Sequence, residues 1–192
     1  MINKNDIVAI VLAGGGSSRM GSDKALLNLK GATFLDQVYR AVKDEVSEVI
    51  ISSNNSLHEI EGVRRIEDLV QNTGPLMGIY SCMEVSTSKF FLVLSCDSPL
   101  IKKELINFLV QNHDETFDGS LLKDGDQNYP LIGIYNQGAM ISLKSYLDSG
   151  KRSVFGFLEN LKVQSVEVPG EFQPQIRNFN RPEDLKYLEK HV

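Results

Sequence analysis

A continuous apolar run, Ile7-Val8-Ala9-Ile10-Val11-Leu12, passes through Ala13 into Gly14-Gly15-Gly16, and two cations, Arg19 and Lys24, follow within a short loop. A stretch that is apolar at every position, rather than at alternate ones, is the pattern of a strand covered on both faces. Such strands belong to parallel sheets packed between helices. Glycines lack a Cβ, so they let the backbone turn sharply and approach a ligand closely. N–H groups exposed in such a turn form a concave anion site. Arg19 and Lys24 place full positive charge where a triphosphate would lie, which makes residues 14–24 a candidate phosphate cradle.

The two commonest cradles do not match. A Walker loop requires a glycine, four intervening residues and then Gly-Lys-Ser/Thr. Here Gly16 and Gly21 have that spacing, but Ser22 follows and Lys24 comes too late. The dinucleotide fingerprint fails as well, because Arg19 stands where its third glycine belongs. An NAD enzyme and an ordinary P-loop ATPase are both disfavoured.

A length of 192 residues suits one domain, expected over residues 1–192, with a full sheet and helices on both faces. The net charge of −5 argues against broad nucleic-acid binding, which requires a basic face. The polar start Met1-Ile2-Asn3-Lys4-Asn5-Asp6 lacks the layout of a signal peptide, and the apolar run after it is too short to span a membrane. The expected location is the cytoplasm. Cys82 and Cys96 belong to no paired motif and read as small buried side chains. His58, His113 and His191 show no ligand spacing with each other or with the cysteines, so no protein-built zinc site is expected.

Strand and helix patterns alternate along the chain. Residues 33–43 carry apolar Phe34, Leu35, Val38 and Val42 on one face of a predicted helix. Short strands are expected at 49–51 and 63–66, a helix at 76–85, a strand at 90–95 and a helix at 102–112. Strands at 120–123 and 130–135, joined by a turn, could add an antiparallel piece, with Pro130 at a strand start or on an edge. Helices follow at 138–147 and 154–161, a strand at 164–168 and a helix at 182–189. Residues 170–175 read as an exposed loop or, alternatively, a mobile lid. This order predicts an α/β, Rossmann-like three-layer domain with a mainly parallel, mixed sheet.

A second chemical feature ends the strand at 90–95, where Cys96-Asp97-Ser98-Pro99 follows Ser95. Ligands of open α/β sheets bind outside the carboxyl ends of the strands. Parallel strands therefore bring Asp97 to the same edge as residues 14–24. A carboxylate beside a triphosphate suits Mg²⁺, which keeps several waters and takes other ligands from phosphate oxygens. Alternatively, Asp97 serves the turn before Pro99.

These residues also resemble a known family. Leu12-Ala13-Gly14-Gly15-Gly16-Ser17-Ser18-Arg19-Met20-Gly21 with Asp23-Lys24 is similar to the opening of the MobA-type nucleotidyltransferases, the molybdenum cofactor guanylyltransferases. The similarity continues at Ile66-Glu67-Asp68, Gly74-Pro75-Leu76-Met77-Gly78-Ile79, Cys96-Asp97-Ser98-Pro99 and Asn178-Phe179-Asn180-Arg181-Pro182-Glu183-Asp184-Leu185. The resemblance implies a nucleotidyltransferase fold that converts GTP and Mo-molybdopterin into the guanine dinucleotide cofactor and pyrophosphate. It implies nucleotide contacts from Leu12, Ala13, Gly14 and Gly15, phosphate binding by Lys24, a place near the nucleoside for Asp68, and Mg²⁺ on Asp97. Asn178 and Asn180 would lie toward the pterin. Ser52 stands where the family often has Asn, and Arg181 where a smaller polar residue is common. Handover of product to a molybdoenzyme or its chaperone is compatible with this reading.

The nucleophile in that reaction is a phosphate monoester whose second pKa is about 6, so it needs no general base. No histidine is near either motif in the sequence. Positioning and electrostatic stabilisation by Arg19, Lys24 and Mg²⁺ would dominate, as in other phosphoryl transfers. Gly14 either leaves room for a purine or simply serves the turn. The alternatives are a cytidylyl or sugar-phosphate nucleotidyltransferase on the same scaffold, and a nucleotide- or cofactor-binding protein without turnover.

Overall fold

The structure, a computed structural model, describes residues 2–14 and 23–179. Gly15, Arg19, Asn180 and the helix expected at 182–189 lie outside the described residues.

The opening run forms β1 (Ile7–Leu12), buried at every position. Alternation along the strand explains why each residue is apolar. Ile7, Ala9 and Val11 enter the core on one face of the sheet, and Val8, Ile10 and Leu12 enter the core on the other. After a short hairpin, β2 (Asn28–Leu29) and β3 (Ala32–Thr33), comes α1 (Phe34–Val42). Thr33 starts α1 with a capping box: its hydroxyl accepts from the Asp36 N–H, and the Asp36 carboxylate accepts from the Thr33 N–H.

There follow β4 (Glu48–Ser52), β5 (Arg64–Ile66), α2 (Pro75–Glu84), β6 (Phe90–Ser95) and α3 (Lys103–Asn112). Pro75 opens α2 at the first helical position, where its missing N–H costs nothing. The last elements are β7 (Gly119–Asp124), β8 (Gln127–Asn136), α4 (Ala139–Asp148), α5 (Val154–Leu158) and β9 (Val163–Glu167). Residues Gly170–Ile176 form a 3-10 helix, not the exposed loop the composition suggests. Buried Ile176 anchors it, and the Gln175 side-chain oxygen accepts from the Lys102 N–H.

The sheet runs in the order β5-β4-β1-β6-β8-β7-β9. Only β8 among these strands runs opposite to the rest, so the sheet is mainly parallel and mixed, as expected. Helices α1 and α3 cover one face, and α2, α4 and α5 the other. Pro130 corrects the sequence reading. It sits inside β8, a strand with neighbours on both sides, where the register against β7 shifts between Leu121 and Leu122. Pro130, Leu131 and Ile132 lie between the partners of Leu121 and Leu122, and β6 pairs with β8 only from Ile132 onward, so no ladder pairing falls on Pro130 and an inner strand tolerates the proline.

Candidate active site

The ends of three adjacent parallel strands define the site. Leu12 of β1 stands opposite Ser52 of β4 on one side and Ser95 of β6 on the other. The Cys96 N–H then donates to the Leu12 carbonyl at 3.1 Å. The glycine turn and Asp97 therefore leave the sheet side by side, as parallel strand direction requires.

The route of the turn corrects one detail. The N–H groups of Ala13 and Gly14 both donate to the Ser52 carbonyl, at 3.0 and 3.2 Å. They tie β1 to β4 rather than facing a ligand. Neither N–H is available to an anion. Gly14 is not held by backbone strain. A Cβ there would sit 3.7 Å from the Ser52 oxygen and from the Ser53 Cα, an ordinary contact.

The loop returns at Asp23, which caps a 3-10 helix, Lys24–Leu26, by accepting from the Ala25 N–H at 3.1 Å. Ala25 is buried and seats this turn on the core. Lys24 Nζ lies 3.7 Å from Asp97 Oδ2. Burial raises the pKa of Asp97 above its ordinary 3.8, and the Lys24 ammonium partly offsets that. The Asp97 backbone is fixed from both sides. Its N–H donates to Ser95 Oγ at 3.3 Å, and its carbonyl accepts from the Phe179 N–H at 2.9 Å. Next to it, the Ser98 hydroxyl donates to Asn178 Oδ1 at 2.9 Å. Asn178 is exposed, whereas Phe179 is buried against Phe34.

Three cavities form one trough along this edge. The first, about 600 Å³, lies between the ends of β1 and β4 and the start of α2, and includes Gly14, Ser52, Asn54, Asp68, Asn72 and Gly78. The second, about 260 Å³, shares Leu12, Gly14 and Pro75 with the first and holds Lys24 and Asp97. The third, about 280 Å³, shares Ser95, Asp97 and Leu131 with the second and adds Tyr129, Pro130, Phe155 and Asn178.

Leu12, Ala13, Gly14, Lys24, Ser52, Asp68, Asp97 and Asn178 all line this trough. Asp68 is bound by Asn54 in both directions: its carboxylate accepts from the Asn54 amide at 3.0 Å, and its N–H donates to Asn54 Oδ1 at 2.8 Å. Burial raises the Asp68 pKa, with the Asn54 bond opposing. Gly78 lets α2 approach closely. A Cβ there would collide with Ser52 Oγ and come within 3.2 Å of Asp68 Oδ1.

The histidine reading is also corrected. His58 lies next to the phosphate loop, its Nε2 2.9 Å from Asp23 Oδ2 and its Nδ1 2.6 Å from Ser53 Oγ. The fold brings residues 53–58 across the sheet edge to residue 23, a juxtaposition no local spacing encodes. Asn54, Asn55 and Asn72 belong to no motif that would single them out, for the same reason. The cysteines are as expected: both are buried, and burial pushes the Cys82 thiol up to about 12 and raises the Cys96 thiol as well. His113 is buried between Ser120 and Asn136, away from the trough.

No group of three His, Cys, Asp or Glu residues able to enclose a metal exists among the described residues. Asp97 nevertheless fits one kind of ion. It is a carboxylate whose charge burial disfavours, in the second cavity, 3.7 Å from the Lys24 ammonium. That suits a cation taking its remaining ligands from water and phosphate. Among the described residues no helix is long and apolar enough to cross a membrane.

A glycine loop, a lysine and an aspartate at the carboxyl edge of a mainly parallel sheet define a nucleotide-handling α/β protein. The chain belongs to the MobA-like NTP transferase family, whose domain matches residues 9–163, and it is a nucleotidyltransferase. A Halalkalibacterium halodurans protein named "probable molybdenum cofactor guanylyltransferase" is 32% identical over 96% of this chain and 98% of its own. The molybdenum cofactor guanylyltransferase of Yersinia pestis is 28% identical, over 96% of each chain. The crystal structure of molybdopterin-guanine dinucleotide biosynthesis protein A from Archaeoglobus fulgidus superposes with a TM-score of 0.83 at 23% identity, covering 95% of this chain and 97% of that one. That last likeness speaks to the fold.

Proposed function

We propose that this protein transfers GMP from GTP to the terminal phosphate of Mo-molybdopterin. The acceptor phosphate oxygen bonds to the α-phosphorus, the bond from that phosphorus to the bridging oxygen of the β-phosphate breaks, and pyrophosphate leaves with the electron pair. The observation that carries this reading is the meeting of Lys24 and Asp97 in the second cavity, which shares lining residues with the first and the third. The names of near-full-length relatives support guanylyl transfer in particular.

The first cavity takes the nucleoside. The Asn54–Asp68 pair presents fixed polar atoms there, beside Ser52. Lys24, together with Arg19, neutralises charge building on the leaving pyrophosphate, and Gly15 supplies backbone to the phosphates. The third cavity takes the acceptor, with the apolar side chains of Leu131 and Phe155 along its wall and Asn178 at its polar end. The family resemblance assigns Asn180 to the pterin as well. Mg²⁺, held by Asp97, would orient phosphate oxygens and neutralise their charge. No general base is assigned, because the acceptor phosphate is already largely ionised near neutral pH.

The test is direct. The protein is incubated with GTP, Mg²⁺ and Mo-molybdopterin, and pyrophosphate and the dinucleotide product are quantified, with CTP and ATP as competitors. Product from GTP in preference to both supports the reading. Preferential use of CTP, or nucleotide binding without pyrophosphate release, overturns it.

A further inference from the structure

His58 is 2% exposed and has no part in the chemistry proposed above. Both of its ring nitrogens are nonetheless bonded. A carboxylate only accepts, so Nε2 donates to Asp23 Oδ2 at 2.9 Å. Nδ1 lies 2.6 Å from the Ser53 hydroxyl oxygen, and Ser53 Oγ accepts the Asn55 N–H at 3.0 Å. The order carboxylate, imidazole, hydroxyl has the form of a nucleophilic triad. Ser53 cannot act as a nucleophile here, because it is 1% exposed and its hydroxyl is engaged on both sides.

The Asp23 carboxylate is the point on which these bonds converge. Oδ2 also accepts from the Asn55 amide at 2.8 Å, and Oδ1 caps the turn that begins at Lys24. Asn54, between Ser53 and Asn55, binds Asp68 on the opposite side of the first cavity. One short segment after β4 thus fixes the foot of the phosphate loop with one asparagine and the nucleoside wall with the other.

We infer that His58 is a positioning residue for nucleotidyl transfer: it holds the Asp23 cap in place, and through that cap it sets the position of the Lys24 ammonium. This rests on the reading of Lys24 as the phosphate-binding cation. The physical basis is that the Asp23 carboxylate, about one-third exposed, can turn toward solvent when it loses the His58 donor, which leaves the Asn55 amide and the Ala25 N–H as its remaining donors among the described residues. A misplacement of about 1 Å at a charge-stabilising group can cost about a hundredfold in rate.

A double-mutant cycle tests it, with steady-state transfer from GTP to Mo-molybdopterin and thermal melting of every variant. His58→Gln keeps an amide donor able to reach Asp23 and should retain kcat within about threefold. His58→Leu keeps the bulk and loses the donor. It should lower kcat about thirtyfold while KM for the acceptor stays unchanged. Combined with Lys24→Ala, the same substitution should cost less than about twofold, since the group it positions is gone. Should the leucine variant not fold, His58→Asn replaces it, with a side chain that keeps the Ser53 side and falls short of Asp23. An equal loss in both backgrounds overturns the inference alone, as does a leucine variant with undiminished kcat. A Lys24→Ala variant with normal kcat overturns the inference together with the reading beneath it.

Discussion

The two ends of the trough are built differently. The wall between β1, β4 and α2 consists of polar side chains already bonded to one another: Asn54 with Asp68, and His58 and Asn55 with Asp23. The wall between β6, β8 and α5 sets apolar Pro130, Leu131, Ile132, Val154 and Phe155 beside Gln127 and Asn128, and Asn178 in it accepts from Ser98. The first end is set by parallel strands whose register fixes Leu12 against Ser52. The second is set by the reversed strand β8 at its bulge. A closed polar network specifies geometry and tolerates little change, whereas an apolar wall accepts changes of shape at modest cost. The difference predicts a preorganised nucleotide side and a forgiving acceptor side.

Substitution at the junction of the two ends should have the largest effect. Asp97→Asn should remove nearly all turnover, about a thousandfold, while the fold persists, as rate assays and melting will show. The sign of its stability effect follows from the raised pKa. Burial opposes the charged carboxylate, so the site's contribution to stability is fully present below pH 3.8 and is lost as pH rises through the higher folded value. Without added Mg²⁺, Asp97→Asn should therefore melt above the parent protein at pH 7 and level with it near pH 3. A lower melting temperature at pH 7 would mean that Lys24 outweighs burial. Lys24→Ala should reduce kcat by about a hundredfold to a thousandfold, by analogy with the loss of one preorganised oxyanion donor, or about 3–4 kcal/mol. Its loss should not be confined to acceptor binding, since that outcome would move Lys24 to the other substrate.

The next effects separate the two walls. Gly78→Ala displaces the Ser52 hydroxyl and crowds Asp68, so KM for GTP should rise about tenfold with KM for the acceptor unchanged. Phe155→Ala removes a ring that is 59% exposed, and should raise KM for the acceptor about threefold with KM for GTP unchanged. Equal sensitivity of the two substrates to either substitution would break the contrast. Gly14→Ala is the mildest, since its Cβ meets only ordinary contacts. It should fold normally and change the preference for GTP over CTP by about threefold, measured by competition.

Much of the fold was legible because burial leaves a regular trace. The strand at 90–95 matches β6 at both ends, because a strand covered on both faces must be apolar throughout. Helix α1 was legible from its apolar face. The β2–β3 hairpin was not, because two-residue strands are too short to show a period. The place of Pro130 depends on a register shift against a neighbouring strand, which local sequence does not carry. The same division holds in the site. Lys24 and Asp97 were found because each follows a strand end in a recognisable motif. His58 and Asn54 were not, because their partners are 35 and 14 residues away.

The sequence by itself determined the core strands, the glycine loop and which strand ends carry charge, because covering both faces of a sheet and turning sharply at its edge are demands met residue by residue. Tertiary structure alone decided that residues 53–58 grip Asp23, that Gly14 donates to Ser52 rather than to a ligand, and that a bulged, reversed strand lines the acceptor side. These are meetings between distant segments, fixed by strand order and register, and neither is written in any one stretch of chain.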